Sequence, residues 1–162
     1  MPEMIPIGWF HTIVAIIAII AGVISLKNNV LISLEQVSGK VFLIFTMLAA
    51  GTALMIFQRG AFGPGHMLAI MTFVAIFIGG VAEKTTIFKK YSPYLQATAY
   101  SGIFLFHMIP AITDGLMRLP AGDPIVKEIT DPLLQGFYGL FLLSYVVTLL
   151  MQWRWIKNRA AN

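Results

Sequence analysis

The chain has 162 residues, of which 58% are hydrophobic and 11% are charged, with a formal net charge of +4 and no cysteine. Soluble domains carry about 25% charged residues, so this chain has too few charges to cover a surface in water. The composition therefore excludes a water-soluble globule and a disordered tail, and the lack of cysteine excludes disulfides, thiolate metal sites and CxxCH haem attachment. We predict an all-α integral membrane protein.

Five apolar segments predict a polytopic transmembrane helical bundle that forms a single domain over residues 1–162. Their approximate bounds are 5–26, 41–57, 67–82, 95–116 and 133–153. The second and third segments are short for a hydrocarbon core of about 30 Å, so each is expected to draw a turn from its flanks. The first segment lacks a basic stretch before it and a small-residue cleavage site after it, which indicates a retained helix rather than a signal peptide.

The distribution of Lys and Arg predicts the orientation of these spans. Five spans place the termini on opposite sides, and cytoplasmic loops carry the excess of Lys and Arg. One side holds Lys27, Lys40, Lys84, Lys89, Lys90, Arg154, Lys157 and Arg159. The other side holds Arg59, Arg118 and Lys127. We therefore predict an outside N-terminus and a cytoplasmic C-terminus, with a basic rim that faces anionic lipid and needs no nucleic-acid partner.

Small residues recur along one stripe of each of the first three helices, which predicts close helix packing in lipid. The stripe of the first helix contains His11, Ala15, Ala18, Gly22 and Ser25. The stripes of the second and third helices contain Thr46, Ala49, Ala50 and Ala53, and Ala69, Thr72, Ala75 and Gly79. These faces are expected to point inward.

The fourth helix carries a polar face that follows the helical repeat along its whole length. Its members are Gln96, Tyr100, His107, Asp114 and Arg118. Ionisable groups at membrane depth are costly, so this face is expected to point inward and mark a site, next to a carbonyl freed by Pro110. Asp114 and Arg118, at i and i+4, are expected to form a local ion pair. A facing stripe on the fifth helix consists of Tyr138, Tyr145, Thr148 and Gln152.

The predicted topology puts His11, His66 and His107 in the outward half of the bilayer. Imidazole is the commonest metal ligand and carries protons near neutral pH. In the first hypothesis His11 and His107 ligate one b-type haem that exchanges electrons with a membrane quinone. Tyr100 completes the candidate cofactor-binding residues of this hypothesis. The small residues Ala15 and Ala111, four positions after the two ligands, leave space for a flat ring.

Two further hypotheses use the same residues differently. In one, the three histidines bind copper together with nearby thioethers from Met67, Met71 or Met108. In the other, His107, Asp114 and Tyr100 line a path for protons, metal ions or small solutes. The alternative without a cofactor is an assembly subunit that binds another membrane protein, or a second copy of itself, through its small-residue faces. His66 can also serve only as a cap of the third helix.

The sequence lacks the motifs of P-loop ATPases, zinc proteases and serine hydrolases, so none of these activities is expected. The chain resembles an uncharacterised family of small prokaryotic polytopic membrane proteins. The resemblance is carried by Trp9 to Thr12, Gly39 to Phe42 followed by Met47, and Arg118 to Pro120. Where a histidine is expected before the glycine of the second helix, this chain has residues 35–38, Glu-Gln-Val-Ser. The resemblance implies a multi-pass protein of the bacterial inner membrane.

Overall fold

The computed structural model of the protein describes residues 5–57 and 62–161, and the regular secondary structure of these residues is helical, with no strand. The helices are α1 Pro6–Asn29, α2 Val37–Ala53, α3 Pro64–Lys84, α4 Ser92–Arg118 and α5 Pro132–Ala161, with a short 3-10 helix at Lys89–Tyr91. Of these described helices, α1, α3, α4 and α5 are long and apolar enough to cross a membrane, and α2 is a shorter apolar helix. The predicted all-α membrane bundle is confirmed. The orientation of its ends remains a prediction.

The helix bounds differ from the predicted segments for local reasons. Proline begins α1, α3 and α5, where its fixed φ suits the first helical turn. Helix α2 lies earlier than the predicted 41–57, because after Ala53 the chain tightens into hydrogen bonds from Met55 N to Thr52 O and from Ile56 N to Ala53 O. Helix α5 continues past the predicted end at residue 153 through the basic segment 154–159, so this helix is longer than its apolar span.

Helices α1 to α4 close into a ring, because α1 packs on α2, α2 on α3, α3 on α4, and α4 returns to α1. Helix α5 packs along α4 outside this ring. The apolar side chains of α5 remain largely exposed, as expected for a helix that faces lipid; examples are Leu140, Leu143, Val147 and Met151. The ring therefore contains the core, and α5 is peripheral to it.

The small-residue stripes face the core as predicted. Ala18, Ser25 and Thr46 have no exposed surface. A Cβ at Gly22 would meet the ring of Phe104 at 2.5 Å and that of Phe42 at 2.8 Å. These two aromatic rings stack with centroids 5.0 Å apart inside the core, and we call this stacked pair the Phe42 and Phe104 layer.

The directions of the helices define two ends of the bundle. The end that contains the α1–α2 loop, residues 30–36, also contains the C-terminus of α3, and we call it the loop end. The opposite end contains His11 and the second half of α4, and we call it the histidine end. The predicted orientation makes the histidine end outward and the loop end cytoplasmic.

Candidate functional site

His11 is held at the histidine end by helix α2. Its Nδ1 lies 2.9 Å from the carbonyl oxygen of Ala49 and 3.1 Å from Oγ1 of Thr52. A carbonyl oxygen only accepts hydrogen bonds, so Nδ1 is the donor, and the lone pair of the neutral ring lies on Nε2. Nε2 has no hydrogen-bond partner among residues 5–57 and 62–161. The ring of His11 is therefore oriented with a free acceptor.

His107 approaches the same helix from α4. Its Nε2 lies 3.0 Å from Oγ1 of Thr46, which is fully buried. The ring of Phe42 lies on the loop-end side of His107, with centroids 6.4 Å apart. Ala49 follows Thr46 by three residues, so the two histidines bond to α2 at points about 4.5 Å apart along the axis. Helix α2 therefore holds one imidazole from each of two other helices.

The carboxylate of Asp114 belongs to the same region. Asp114 follows His107 by seven residues, or about two turns of α4, so the two side chains lie on the same face of this helix. Oδ2 of Asp114 lies 2.7 Å from Nε of Arg118, so the predicted i, i+4 ion pair is confirmed. The Asp114 side chain is 40% exposed, which places the ion pair at the open edge of the site. We call His11, Thr46, Thr52 and His107 the histidine cluster.

Tyr100 lies outside this cluster. Its hydroxyl donates to Oε2 of Glu83 at 3.2 Å, at the loop end. It precedes His107 by seven residues, about 10.5 Å along α4, and Phe104, which stacks on Phe42, lies between them along this helix. The polar face of α4 therefore supplies two separate sites rather than one continuous path.

His66 also lies apart from the other two histidines. Its Nδ1 accepts a hydrogen bond from the backbone N–H of Gly63 at 3.1 Å, so its predicted role as a cap of the third helix is confirmed. The rings of Phe57 and Phe62 flank it with centroids 4.5 and 4.9 Å away. In the part of the chain that the structure describes, no three His, Asp or Glu side chains come together as a metal-binding group. The three histidines of the copper hypothesis therefore do not form one such group within the described residues.

The polar stripe of α5 faces α4 as predicted. Tyr138 Oη lies 2.5 Å from Oγ1 of Thr113, and Tyr145 donates to the carbonyl of Thr98 at 3.1 Å. Gln152 accepts from the hydroxyl of Ser101 at 2.9 Å. Hydrogen bonds at three levels therefore fix the register of α5 on α4.

Glu83, a residue that the sequence pattern did not single out, organises the loop end. Its Oε1 accepts hydrogen bonds from the Ser33 hydroxyl and the Leu34 N–H, both at 2.7 Å, and its Oε2 accepts from Tyr100. The signal was present in the pattern, because Glu83 follows Gly79 by four residues and so continues the inward stripe of α3. Its neighbour Lys84 belongs to the predicted basic rim, so the sequence around Glu83 is typical of a solvated loop.

Two glutamines form further hydrogen bonds with the α1–α2 loop. Gln96 of α4 donates to the carbonyl of Ile32 at 2.8 Å, and Gln152 of α5 donates to that of Val30 at 2.8 Å. Ile32 is 2% exposed and packs into the core at the loop end. We call Glu83, Gln96 and Gln152 the loop clamp, because these side chains from three helices hold the backbone of one loop.

Comparisons with known proteins give no guide to the chemistry of this site. No protein-family model, no curated protein and no solved structure matches the chain. Glu83 and Gln152 of the loop clamp use both polar atoms of their side chains in hydrogen bonds within the bundle. His11 and His107 of the histidine cluster each have one ring nitrogen without a hydrogen-bond partner in the described residues, and this cluster is therefore the candidate for ligand binding.

Proposed function

We propose that the protein is an integral membrane electron-transfer protein in which His11 and His107 hold one b-type haem at the histidine end. The observation that supports this proposal is the pair of imidazoles brought to one region from α1 and α4, each oriented by α2. Two imidazoles are a common axial pair for a non-covalently bound haem, and such a haem needs no cysteine.

His11 fits the role of an axial ligand. Histidine ligands usually donate the other ring N–H to a carbonyl or carboxylate, which fixes the tautomer and raises the basicity of the ligating nitrogen. The bond from Nδ1 to the Ala49 carbonyl has this form and leaves the lone pair of Nε2 available. Removing the imidazole would leave the helix contacts of α1 in place, because the neighbouring small residues carry the packing.

His107 fits the role with one local change. Its Nε2 is engaged by the Thr46 hydroxyl, which must turn away for that nitrogen to bind iron. A threonine in a helix can instead donate to the carbonyl four residues earlier. Thr72 donates to the Leu68 carbonyl in this way at 2.8 Å. Thr46 therefore acts as a replaceable partner of the His107 ring.

The surroundings match an electron carrier that works with a lipid-soluble partner. A bound haem would supply one-electron chemistry, with its potential set by the axial ligands and by burial. Phe42 and Phe104 close the site on the side of the loop end. Phe10 and Ile13, next to His11 on α1, are at least half exposed. A membrane quinone can therefore approach the histidine end through lipid.

The test is an absorption spectrum of protein produced with ample haem and purified in detergent. We expect a Soret band, redox-active α and β bands typical of bis-histidine ligation, and one haem per chain. His11→Ala and His107→Ala should each abolish the low-spin spectrum. The matched control is His66→Ala, which removes a histidine of the same end that caps α3 and should keep the spectrum. A wild-type chain without a Soret band, or both ligand variants with an unchanged one, would overturn the proposal.

Transport through the bundle is the second candidate. The observation that favours it is the presence of ionisable groups at both ends of α4, Asp114 with His107 at one and Glu83 with Tyr100 at the other. The Phe42 and Phe104 layer would have to open for a proton or small solute to pass. Proton or metal uptake into liposomes that depends on Asp114, together with a missing Soret band, would favour transport. A negative result in both assays would favour an assembly role.

A further inference from the structure

A second site lies at the loop end, where the first turns of α4 meet the last turns of α5. It is an open pocket of about 730 Å³, bounded by the segment before α4. Its lining is largely apolar, and we call the part formed by Leu95 and Trp153 the floor and the part formed by the exposed Lys89 and Lys90 the mouth. The pocket shares no residue with the histidine cluster, so it needs its own explanation.

Aromatic rings place this pocket at the level of the lipid headgroups. Tyr94 and Trp153 pack edge to face with centroids 5.9 Å apart, and Tyr91 is 61% exposed. Tyr and Trp collect at the interface between water and hydrocarbon, where one part of the ring is wet and the other apolar. The floor of the pocket therefore lies toward the acyl chains and its mouth toward the headgroups.

The mouth carries two positive charges and no compensating carboxylate. Lys89 has φ +49°, a left-handed conformation that lysine seldom adopts, and this conformation begins the short 3-10 helix that also carries Lys90. Lys90 Nζ lies 5.2 Å from the centroid of the Tyr91 ring. Within the described ranges, neither lysine forms an ion pair, and no Asp or Glu lines the pocket. The pocket therefore suits an anion with an apolar body.

We propose that this pocket binds one anionic phospholipid, with its phosphate between Lys89 and Lys90 and an acyl chain against Leu95 and Trp153. Charge complementarity selects this occupant over a zwitterionic lipid, because no carboxylate is present to pair with a choline or ethanolamine group. Basic clusters at the cytoplasmic side of membrane helices bind anionic headgroups by the same physics. At the loop end, the bound lipid would contact both α4 and α5 and so link the peripheral helix α5 to the ring of α1 to α4.

The test is native mass spectrometry of the detergent-solubilised full chain titrated with phosphatidylglycerol or with phosphatidylcholine of the same acyl chains. We expect one tightly bound phosphatidylglycerol and weak binding of phosphatidylcholine. The double variant Lys89→Gln/Lys90→Gln should weaken phosphatidylglycerol binding by roughly 30-fold, since each lysine near the surface contributes a factor of about five. Lys27→Gln/Lys40→Gln removes two exposed lysines outside the pocket and should leave binding unchanged.

Three results would overturn the proposal. They are equal affinity of the wild type for the two lipids, an equal loss in the Lys27 and Lys40 control, and displacement of phosphatidylglycerol by millimolar inorganic phosphate, which would indicate a site for free anions. If the Lys89 and Lys90 variant does not fold, the wild type decides: phosphatidylglycerol binding should weaken with added salt while phosphatidylcholine binding stays constant. Salt-independent phosphatidylglycerol binding would contradict the proposal.

Discussion

The two ends of the bundle use polar side chains in opposite ways. At the loop end, Glu83, Gln96 and Gln152 each form hydrogen bonds with the loop between α1 and α2, and Glu83 accepts three hydrogen bonds, two from the loop and one from Tyr100. At the histidine end, His11 and His107 each engage one ring nitrogen, and the other has no partner in the described residues. The loop end uses most of its polar atoms in internal hydrogen bonds, and the histidine end leaves one nitrogen of each imidazole without a partner in the described residues.

From this difference we expect the loop end to contribute mainly to stability and the histidine end mainly to ligand binding. A network with all partners present resists change, because removing one group leaves buried partners unsatisfied in a low-dielectric surrounding. A half-engaged imidazole costs less to remove and remains available to a ligand. We therefore expect substitutions at the loop end to change the free energy of unfolding strongly and the haem spectrum weakly. Substitutions at the histidine end should do the reverse.

The largest loss of stability is expected from Gly39→Ala at the loop end. A Cβ at Gly39 would lie 2.1 Å from the backbone oxygen of Ser33, so the loop must move and release its contacts with Glu83. Overpacking against backbone costs about 3 kcal/mol. The matched control is Gly51→Ala in the same helix, where nothing lies within 4 Å. The control should stabilise the protein by roughly 0.5 to 1 kcal/mol through backbone entropy.

Thermal or denaturant unfolding in detergent measures both glycine variants. Equal effects at Gly39 and Gly51 would show that the loop does not depend on close approach to α2. The comparison of the two ends would then lose its structural basis, because the position of the loop is what the clamp secures.

The next largest loss is expected from Glu83→Ala, at about 2 kcal/mol, because it leaves the Ser33 hydroxyl, the Leu34 N–H and the Tyr100 hydroxyl without their common acceptor. Tyr100→Phe removes one of these bonds and should cost about 1 kcal/mol. Hydrogen exchange of the Leu34 amide gives a local readout and should accelerate in the first variant only. An unchanged Leu34 amide in Glu83→Ala would contradict the assigned clamp.

Much of this fold was predictable because a lipid environment requires long apolar segments and confines small and polar residues to inward helix faces. The apolar segments, the inward stripes of small residues and the Asp114–Arg118 pair follow from one-dimensional spacing and were confirmed. The polar stripe of α5 was predictable for the same reason, since Tyr138 and Gln152 share the face that meets α4.

The division of the α4 face was not predictable in this way. Tyr100 and His107 share a helix face, and spacing alone assigns them to one site. Their partners, Glu83 and Thr46, come from different helices and different ends of the ring, and these pairings depend on the three-dimensional arrangement. The loop clamp was missed for a related reason, because two of its bonds end on the backbone carbonyls of Val30 and Ile32, which no side-chain pattern marks.

A smaller effect on stability is expected at the histidine end. His107→Leu removes one interhelical hydrogen bond, and such bonds between membrane helices average about 0.6 kcal/mol. The Thr46 hydroxyl can turn to the carbonyl of its own helix, so no buried group stays unsatisfied. Unfolding should shift little while the Soret band is lost. A loss of stability as large as that of Glu83→Ala would instead make His107 a structural residue and weaken the haem proposal.

The smallest effect is expected from Lys84→Gln, which tests whether charge alone stabilises the loop end. Lys84 Nζ lies 3.2 Å from Oε1 of Glu35, but the two side chains are 50% and 79% exposed. Such surface pairs contribute about 0.3 kcal/mol, and the contribution should vanish near 1 M salt, where the Debye length is about 3 Å. Glu83 and Lys84 are adjacent in sequence and differ in whether their partners are buried. Unfolding of Glu83→Ala and Lys84→Gln in low and high salt therefore compares the contribution of a buried hydrogen-bond network with that of an exposed ion pair. If Lys84→Gln destabilised the protein as much as Glu83→Ala, the strength of the loop end would come from its surface charges, and the contrast with the histidine end would have a different cause.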